Sequence, residues 1–342
     1  MAEYCRAMTG TERRGGRRWR AWPIAGLIAM AALAAGVSFA DAAETITMVT
    51  TGKGSAQQWP IFNAIAKGYM AENGVTLDMI AASSTAAAMQ QLAAGSTNLG
   101  SGGLTDPLRA IDKGAPISLL RVETQAPPYT LWAKPAIKSI AELRGKLIMY
   151  GGPKDITRIY VERTLSANGV KPGEYDSLYA GTTAARFAAL TAGAVDAALL
   201  VPPFSFKAKE VGLSRLADVN DYVGNLPFTG YATDTAWAKV HKPLLLGFLT
   251  AVAKGVAWFY EDANRAEEID ILVKESGLSR ADVEATYDYY RALHIFDRRG
   301  LIEASSVGNL LKAMRDIGDY EGPLEVKRFI DPEITGLAAQ VK

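Results

Sequence analysis

The sequence predicts an α/β protein of two lobes, joined by two chain crossings and completed by C-terminal helices. Three observations carry that prediction. Short apolar, β-branched runs alternate with stretches whose apolar residues recur at helical spacing. The stretch Ser139 to Gly212 spells a strand–turn–helix–strand unit. Two extended segments, Tyr129 to Ala133 and Phe228 to Asp234, bracket that stretch and read as an outward and a return crossing.

The first residues stand apart from this pattern. Arg13, Arg14, Arg17, Arg18 and Arg20 form a basic region, and Ile24 to Val37 is an apolar segment too short to span a bilayer comfortably. Ala40-Asp41-Ala42 closes it with an A-x-A site. Together these predict a signal peptide over residues 1–42, cleaved near Ala42, and hence a periplasmic product. No stop-transfer pattern follows, which argues against a membrane anchor. Gly15 and Gly16 after Arg13-Arg14 favour general export over the twin-arginine route. The one cysteine, Cys5, precedes the apolar segment, so the mature chain is expected to carry no disulfide and no thiolate-bound metal.

Of 342 residues, 49% are hydrophobic and 21% charged, proportions that support two folded α/β lobes. Cleavage after Ala42 leaves 31 basic against 33 acidic side chains, a net charge of −2. With no basic run, there is no electrostatic case for a nucleic-acid partner.

Taken in order, Thr45 to Thr50 reads as a first strand, with a turn at Gly52, Gly54 and Ser55. Trp59, Phe62, Ile65, Ala66 and Tyr69 mark a helix that stops by Gly74. Thr76 to Ile80 is a second strand. Ser83-Ser84-Thr85 opens a helix carrying Met89, Leu92 and Ala93. Leu99 to Ser101 and Ile117 to Glu123 are further strands, separated by a helix with Pro107 in its first turn.

In the central stretch, Lys146 to Tyr150 is a buried strand broken by Gly151-Gly152-Pro153, and a helix starts near Asp155 or Ile156. Val195 to Val201 is the second strand, ended by Pro202 and Pro203. Leu216 to Val223 reads as a connecting segment. The first lobe is thus expected over residues 43–132 and 230–342, and the second over 133–229. Apolar stripes at Leu245 to Phe259, Ile269 to Val273, Val283 to Tyr290 and Val307 to Met314 are core faces of C-terminal helices.

Three short phrases carry a family resemblance. Ile140-Ala141-Glu142-Leu143-Arg144-Gly145-Lys146 resembles the "SxxDLKGKxV" entry to the second lobe of bacterial solute-binding proteins. Leu190-Thr191-Ala192-Gly193-Ala194-Val195-Asp196-Ala197 resembles their "LxxGxVDA" turn, in register with the first phrase. Leu92 to Gly100 is similar to "LAxGxxDxG", with Asn98 where Asp is usual; Asn suits a turn equally well. The group resembled, over Thr45 to Tyr260, is the nitrate/sulfonate/taurine (SsuA/NMT1-like) branch.

That resemblance implies a type II periplasmic-binding-protein-like fold with a ligand cleft between its lobes. It also implies a monomeric solute-binding protein, not an enzyme, that works with the permease and ATPase of an ABC importer and needs no cofactor. Many relatives carry "VWEP" after the "VDA" strand. Leu200-Val201-Pro202-Pro203-Phe204 stands here, which removes a carboxylate and makes an amine such as taurine a poorer fit than a simple anion. Sulfonates, carboxylates, nitrate-like ions and pyrimidines stay open. An enzyme making a thiamine-precursor pyrimidine is the alternative on this fold, as is a ligand-presenting partner of a membrane sensor. The enzyme reading needs the cysteines and histidines that the mature chain lacks or keeps far apart.

Candidate site residues lie on loops that follow strands, where open α/β sheets bind ligands. Ser83, Ser84, Thr85, Thr105 and Thr157 stand at helix N-termini, whose free N–H groups suit an anion. The anionic head is expected at Ser83-Ser84-Thr85 near Thr105, with the Gly152 to Thr157 loop closing over it. Asp155 would occupy its own helix end, with Lys154 offsetting it. Trp59, Tyr129, Phe204 and Phe228 are expected as pocket walls. Lys53 and Lys154 are the expected cleft cations, few enough to disfavour a multiply charged ligand. No G-x-S-x-G or G-x-x-x-x-G-K-[ST] motif occurs, and His241 and His294 have no ligand-spaced partners, so no metal is expected.

Overall fold

The computed structural model describes residues 44–52, 54–224 and 226–341. The signal-peptide reading, Cys5 and Lys53 fall outside them.

The chain builds its first lobe from β1 (Glu44–Thr51), α1 (Trp59–Ala66), α2 (Tyr69–Glu72), β2 (Val75–Ala82), α3 (Thr85–Ala93), β3 (Leu99–Gly103), α4 (Thr105–Asp112) and β4 (Ile117–Thr124). It then crosses and forms β5 (Thr130–Ala133), β6 (Leu147–Tyr150), α5 (Ile156–Ala167), β7 (Asp176–Tyr179), α6 (Thr183–Thr191), β8 (Ala197–Leu200), α7 (Phe204–Glu210), β9 (Ser214–Asp218) and α8 (Asn220–Val223). It returns through β10 (Thr229–Asp234) and ends in α9 (Thr235–Val240), α10 (Lys242–Tyr260), α11 (Arg265–Ser276), α12 (Arg280–Ala292), α13 (Ala304–Asp316) and α14 (Pro332–Ala339).

These strands make two sheets, ordered β2-β1-β3-β10-β4 and β7-β6-β8-β5-β9. Each holds one antiparallel strand next to the crossings: β10 between β3 and β4, and β5 between β8 and β9. The first crossing leaves after Thr124, so Thr130 to Trp132 pair within the second sheet, a few residues ahead of the boundary expected at 132/133. Thr124 also ties the crossings together. Its hydroxyl lies 2.7 Å from that of Thr229, and its carbonyl accepts from Phe228 N–H.

Two expectations need correction. The central stretch holds two βαβ units, because β7 intervenes and pairs in parallel with β6. Leu216 to Val223 is in part strand β9, paired with β5. Both are sheet-edge strands with partly exposed residues, so neither shows the continuous apolar run that marks a buried strand.

Glycine in β3 brings helix and sheet close together. A Cβ on Gly102 would lie 2.3 Å from Thr85 Cγ2, and one on Gly100 would lie 2.6 Å from Met89 Cε. The start of α3 is therefore pressed onto the sheet, with Thr85 Oγ1 accepting from Gly103 N–H. α10 is long and apolar enough to cross a membrane, yet here its stripe Leu245, Phe248, Leu249, Val252, Val256 and Phe259 is buried. Gly255 admits the backbone of α1 against it. The other three C-terminal stripes fall on α11, α12 and α13, and their apolar residues are buried or nearly so.

Candidate functional site

The carboxyl ends of the strands from both lobes enclose a cavity of about 380 Å³. The first lobe contributes Gly52 to Gln57 after β1 (Lys53 aside), Ser83-Ser84-Thr85 at α3, Leu278 between α11 and α12, and Tyr290 from α12. The second contributes Gly151, Asp155, Gly181 to Ala184, Arg186 and Val201 to Phe204, while Tyr129, Phe228 and Thr229 come from the crossings. The lobes nearly touch: a Cβ on Gly181 would lie 3.4 Å from the Ser83 carbonyl oxygen.

Of the expected residues, Ser83, Ser84, Thr85, Tyr129, Phe204 and Phe228 line the cavity. Ser84 is the N-cap of α3, its hydroxyl accepting from Ala87 N–H at 3.2 Å. Tyr129 and Phe228 meet edge to face at 5.3 Å. Burial raises the Tyr129 phenol above its ordinary pKa, while nearby Arg186 lowers it.

The others do not line it. Trp59 is fully buried one layer behind, its ring 5.8 Å from Tyr290 and 6.4 Å from Phe259. Its apolar face is better served in the core than at a wet wall. Thr105 is buried at the start of α4, beside Asp106, which accepts from Arg109. Lys154 is exposed and turned toward Asp319, 3.5 Å away, while its carbonyl accepts from Arg109. Thr157 accepts from Gly151 N–H at 2.8 Å and donates to Asp155, so the turn consumes its hydroxyl. Gly151 rather than Gly152 faces the cavity. Asp155 caps α5 as expected, accepting from Thr157 N–H at 2.9 Å.

Sequence reasoning missed Arg186. It sits in the first turn of α6, 1% exposed, and lines the cavity. Its Nε donates to Leu199 O at 2.8 Å, Nη1 to Ala180 O at 2.9 Å and Nη2 to Thr183 Oγ1 at 2.8 Å. These use three of five N–H groups, and the Tyr129 hydroxyl is a further hydrogen-bond partner of the guanidinium. The Tyr129 ring lies 5.7 Å from its Cζ. Among the described residues no carboxylate lies within ion-pair distance of it. Thr182, the N-cap of α6, accepts from Ala185 N–H, so this helix end is capped by a neutral group.

Across the described residues, no three His, Cys, Asp or Glu side chains cluster as a metal would require. His241 stacks on Trp237 at 4.6 Å and His294 on Tyr260 at 6.0 Å.

Two mixed sheets joined by a double crossing, with a cavity between them, define the periplasmic-binding-protein fold. Solved structures with this fold include the alkanesulfonate-binding protein SsuA from Xanthomonas axonopodis pv. citri, solved with MOPS bound. It is 18% identical at a TM-score of 0.68, over 84% of this chain and 98% of that one. The periplasmic nitrate-binding protein NrtA from Synechocystis PCC 6803 aligns at 13% identity and a TM-score of 0.70, over 86% and 88%. A desulfurization enzyme, DszB, shares the fold at 12% identity and a TM-score of 0.63, over 86% and 99%. No curated protein sequence matches the chain. The family model NMT1/THI5 like matches residues 55–266, and the chain belongs to that family.

Proposed function

We propose that the chain is an exported solute-binding protein that captures a small organic anion, of sulfonate or carboxylate type, between its lobes and delivers it to an ABC importer. The observation that carries this reading is Arg186. A buried guanidinium without a carboxylate is costly unless something else answers its charge, and this one faces a cavity of ordinary small-molecule size. The N-termini of α3 and α6 add unpaired N–H groups from opposite lobes. Phe204, Tyr290 and Leu278 offer apolar wall for a carbon body, which favours an organic anion over a bare inorganic ion. SsuA and NrtA, with the same fold, are named for sulfonate and nitrate binding, which supports an oxyanion head. The apolar segment and A-x-A site ahead of the described residues support export.

DszB keeps an enzymatic reading in view, since this fold also supports catalysis. The titratable side chains that the described cavity offers are Arg186, Asp155, Tyr129 and Tyr290, a set suited to holding an anion. The test is a thermal-shift screen of the mature protein against sulfonates, carboxylates, nitrate and pyrimidines. A true ligand at about 100 times its Kd adds roughly 2.7 kcal/mol of stability. Stabilisation by none of the anions would overturn the reading, and a ligand converted to product in mass spectra would replace capture with catalysis.

A further inference from the structure

Helix α7 belongs to the second lobe, and its first residue, Phe204, is a cavity wall. α12 belongs to the first-lobe core built on Trp59, Phe259, Val283 and Tyr290. The two helices meet across one flank of the cleft. Lys207 Nζ lies 3.0 Å from Asp282 Oδ2, with the aspartate side chain 17% exposed. One residue earlier, the Phe206 ring meets Tyr289 edge-on at 5.9 Å. Lys207 also sits 5.6 Å from the Phe204 ring, so the cation lies between the cavity wall and its carboxylate partner. Asp282 is in the first turn of α12, where a negative charge is favoured, and Ser279 caps that helix by accepting from Asp282 N–H. Just before the cap, Leu278 reaches the cavity from the other side. The carbonyl of Ser276 lies against Gly54, which a side chain could not replace.

We infer that Lys207 and Asp282, with Phe206 and Tyr289, form an interlobe clasp that holds Phe204 and Leu278 over the cavity and sets the balance between closed and open lobes. These are positioning residues: they reach the ligand only through the walls they hold. The ion pair and the ring contact join different lobes, so separation of α7 from α12 breaks both together. A contact present only in the closed state raises its population, and with it the apparent affinity of any ligand that needs closure. This holds whatever the ligand is.

The experiment measures lobe separation without ligand. Nitroxide labels go on cysteines placed at exposed Ala94 and Lys171, one per lobe, in a Cys5→Ser full chain. The parent should show a dominant short separation. Lys207→Met or Asp282→Asn should each raise the ratio of long to short separations by about two- to fivefold, the reach of a partly exposed ion pair. The double variant should do no more than either single one, because the two side chains act as one unit. Phe206→Ala should add to the shift, since it removes a separate contact. The altered side chains are partly buried, so the melting temperature is measured alongside, and an unchanged value shows that the fold is intact. Separations identical to the parent's, or fully additive effects of the two charge changes, would overturn the clasp. A failed ligand screen would not touch it.

Discussion

Helices α5 and α6 make an instructive pair. Both follow a strand of the second sheet, and both aim their N-termini at the cleft. α5 closes its own end: Asp155 takes the Thr157 N–H, and Thr157 in turn takes the Gly151 N–H. α6 is capped by the neutral hydroxyl of Thr182 and carries a cation in its first turn. A helix N-terminus already has positive character, so an arginine there works against the macrodipole. The same topology thus yields one end capped by a carboxylate and one capped by a neutral hydroxyl with a cation beside it, the end that the proposed function assigns to the anion. Position at a strand's carboxyl end selects candidates; side-chain chemistry decides between them.

The sharpest way to break this contrast is Arg186→Met. Binding of the best compound from the screen should weaken by about 2–4 kcal/mol in calorimetry, the range for truncating one partner of a buried charged contact. Unchanged affinity would move the anion site elsewhere. Thr85→Val, on the facing helix of the first lobe, should cost about 1–3 kcal/mol of the same binding by leaving a buried polar partner unmet. Asp155→Ala sharpens the contrast from the other side. It should cost about 1 kcal/mol of folding stability through the lost cap, seen as a lower Tm. It should also tighten anion binding, because a carboxylate leaves the cavity. Weaker binding would mean that Asp155 holds a donor on the ligand. The smallest effect is expected at Lys154, whose exposed ammonium lies outside the cavity and whose buried partner Asp319 is also held by Arg109. Lys154→Ala should change ligand affinity and stability by less than about 0.5 kcal/mol.

Much of the fold was legible because its strands and helices bury faces with clear periods. β1, β3, β4 and β10 were read to within a few residues, and the stripes of α10, α12 and α13 contain the residues found buried. The edge strands β7 and β9 were not. Asp176-Ser177-Leu178-Tyr179 has three exposed residues and nothing that separates it from a loop. At the site, the hydroxyl triplet Ser83-Ser84-Thr85 was readable because its cap chemistry is local. Lys154 and Thr157 lie away from the cavity for reasons the sequence does not display: tertiary packing turns Lys154 toward Asp319, and the turn ties Thr157 to Asp155 and Gly151. Arg186 lay hidden in Thr182-Thr183-Ala184-Ala185-Arg186-Phe187, where a lone arginine among alanines looks like a solvent-facing helix former. The signal available was its place, a cation in the first turn behind two threonines.

The placement of β10 has a consequence for the order in which the chain acquires its shape. This strand lies between β3 and β4, yet it follows β4 by more than a hundred positions, with the whole second sheet made in the interval. A chain growing from its N-terminus therefore holds β1 to β4 with a gap in the middle of their sheet until Asp234 has emerged. The second lobe, residues Thr130 to Val223, is contiguous and can assemble first. Pairings of such long sequence separation form slowly. The first lobe, and with it half of the cavity, is thus completed late, after its own N-terminal strands have waited for a partner from the far side of the molecule.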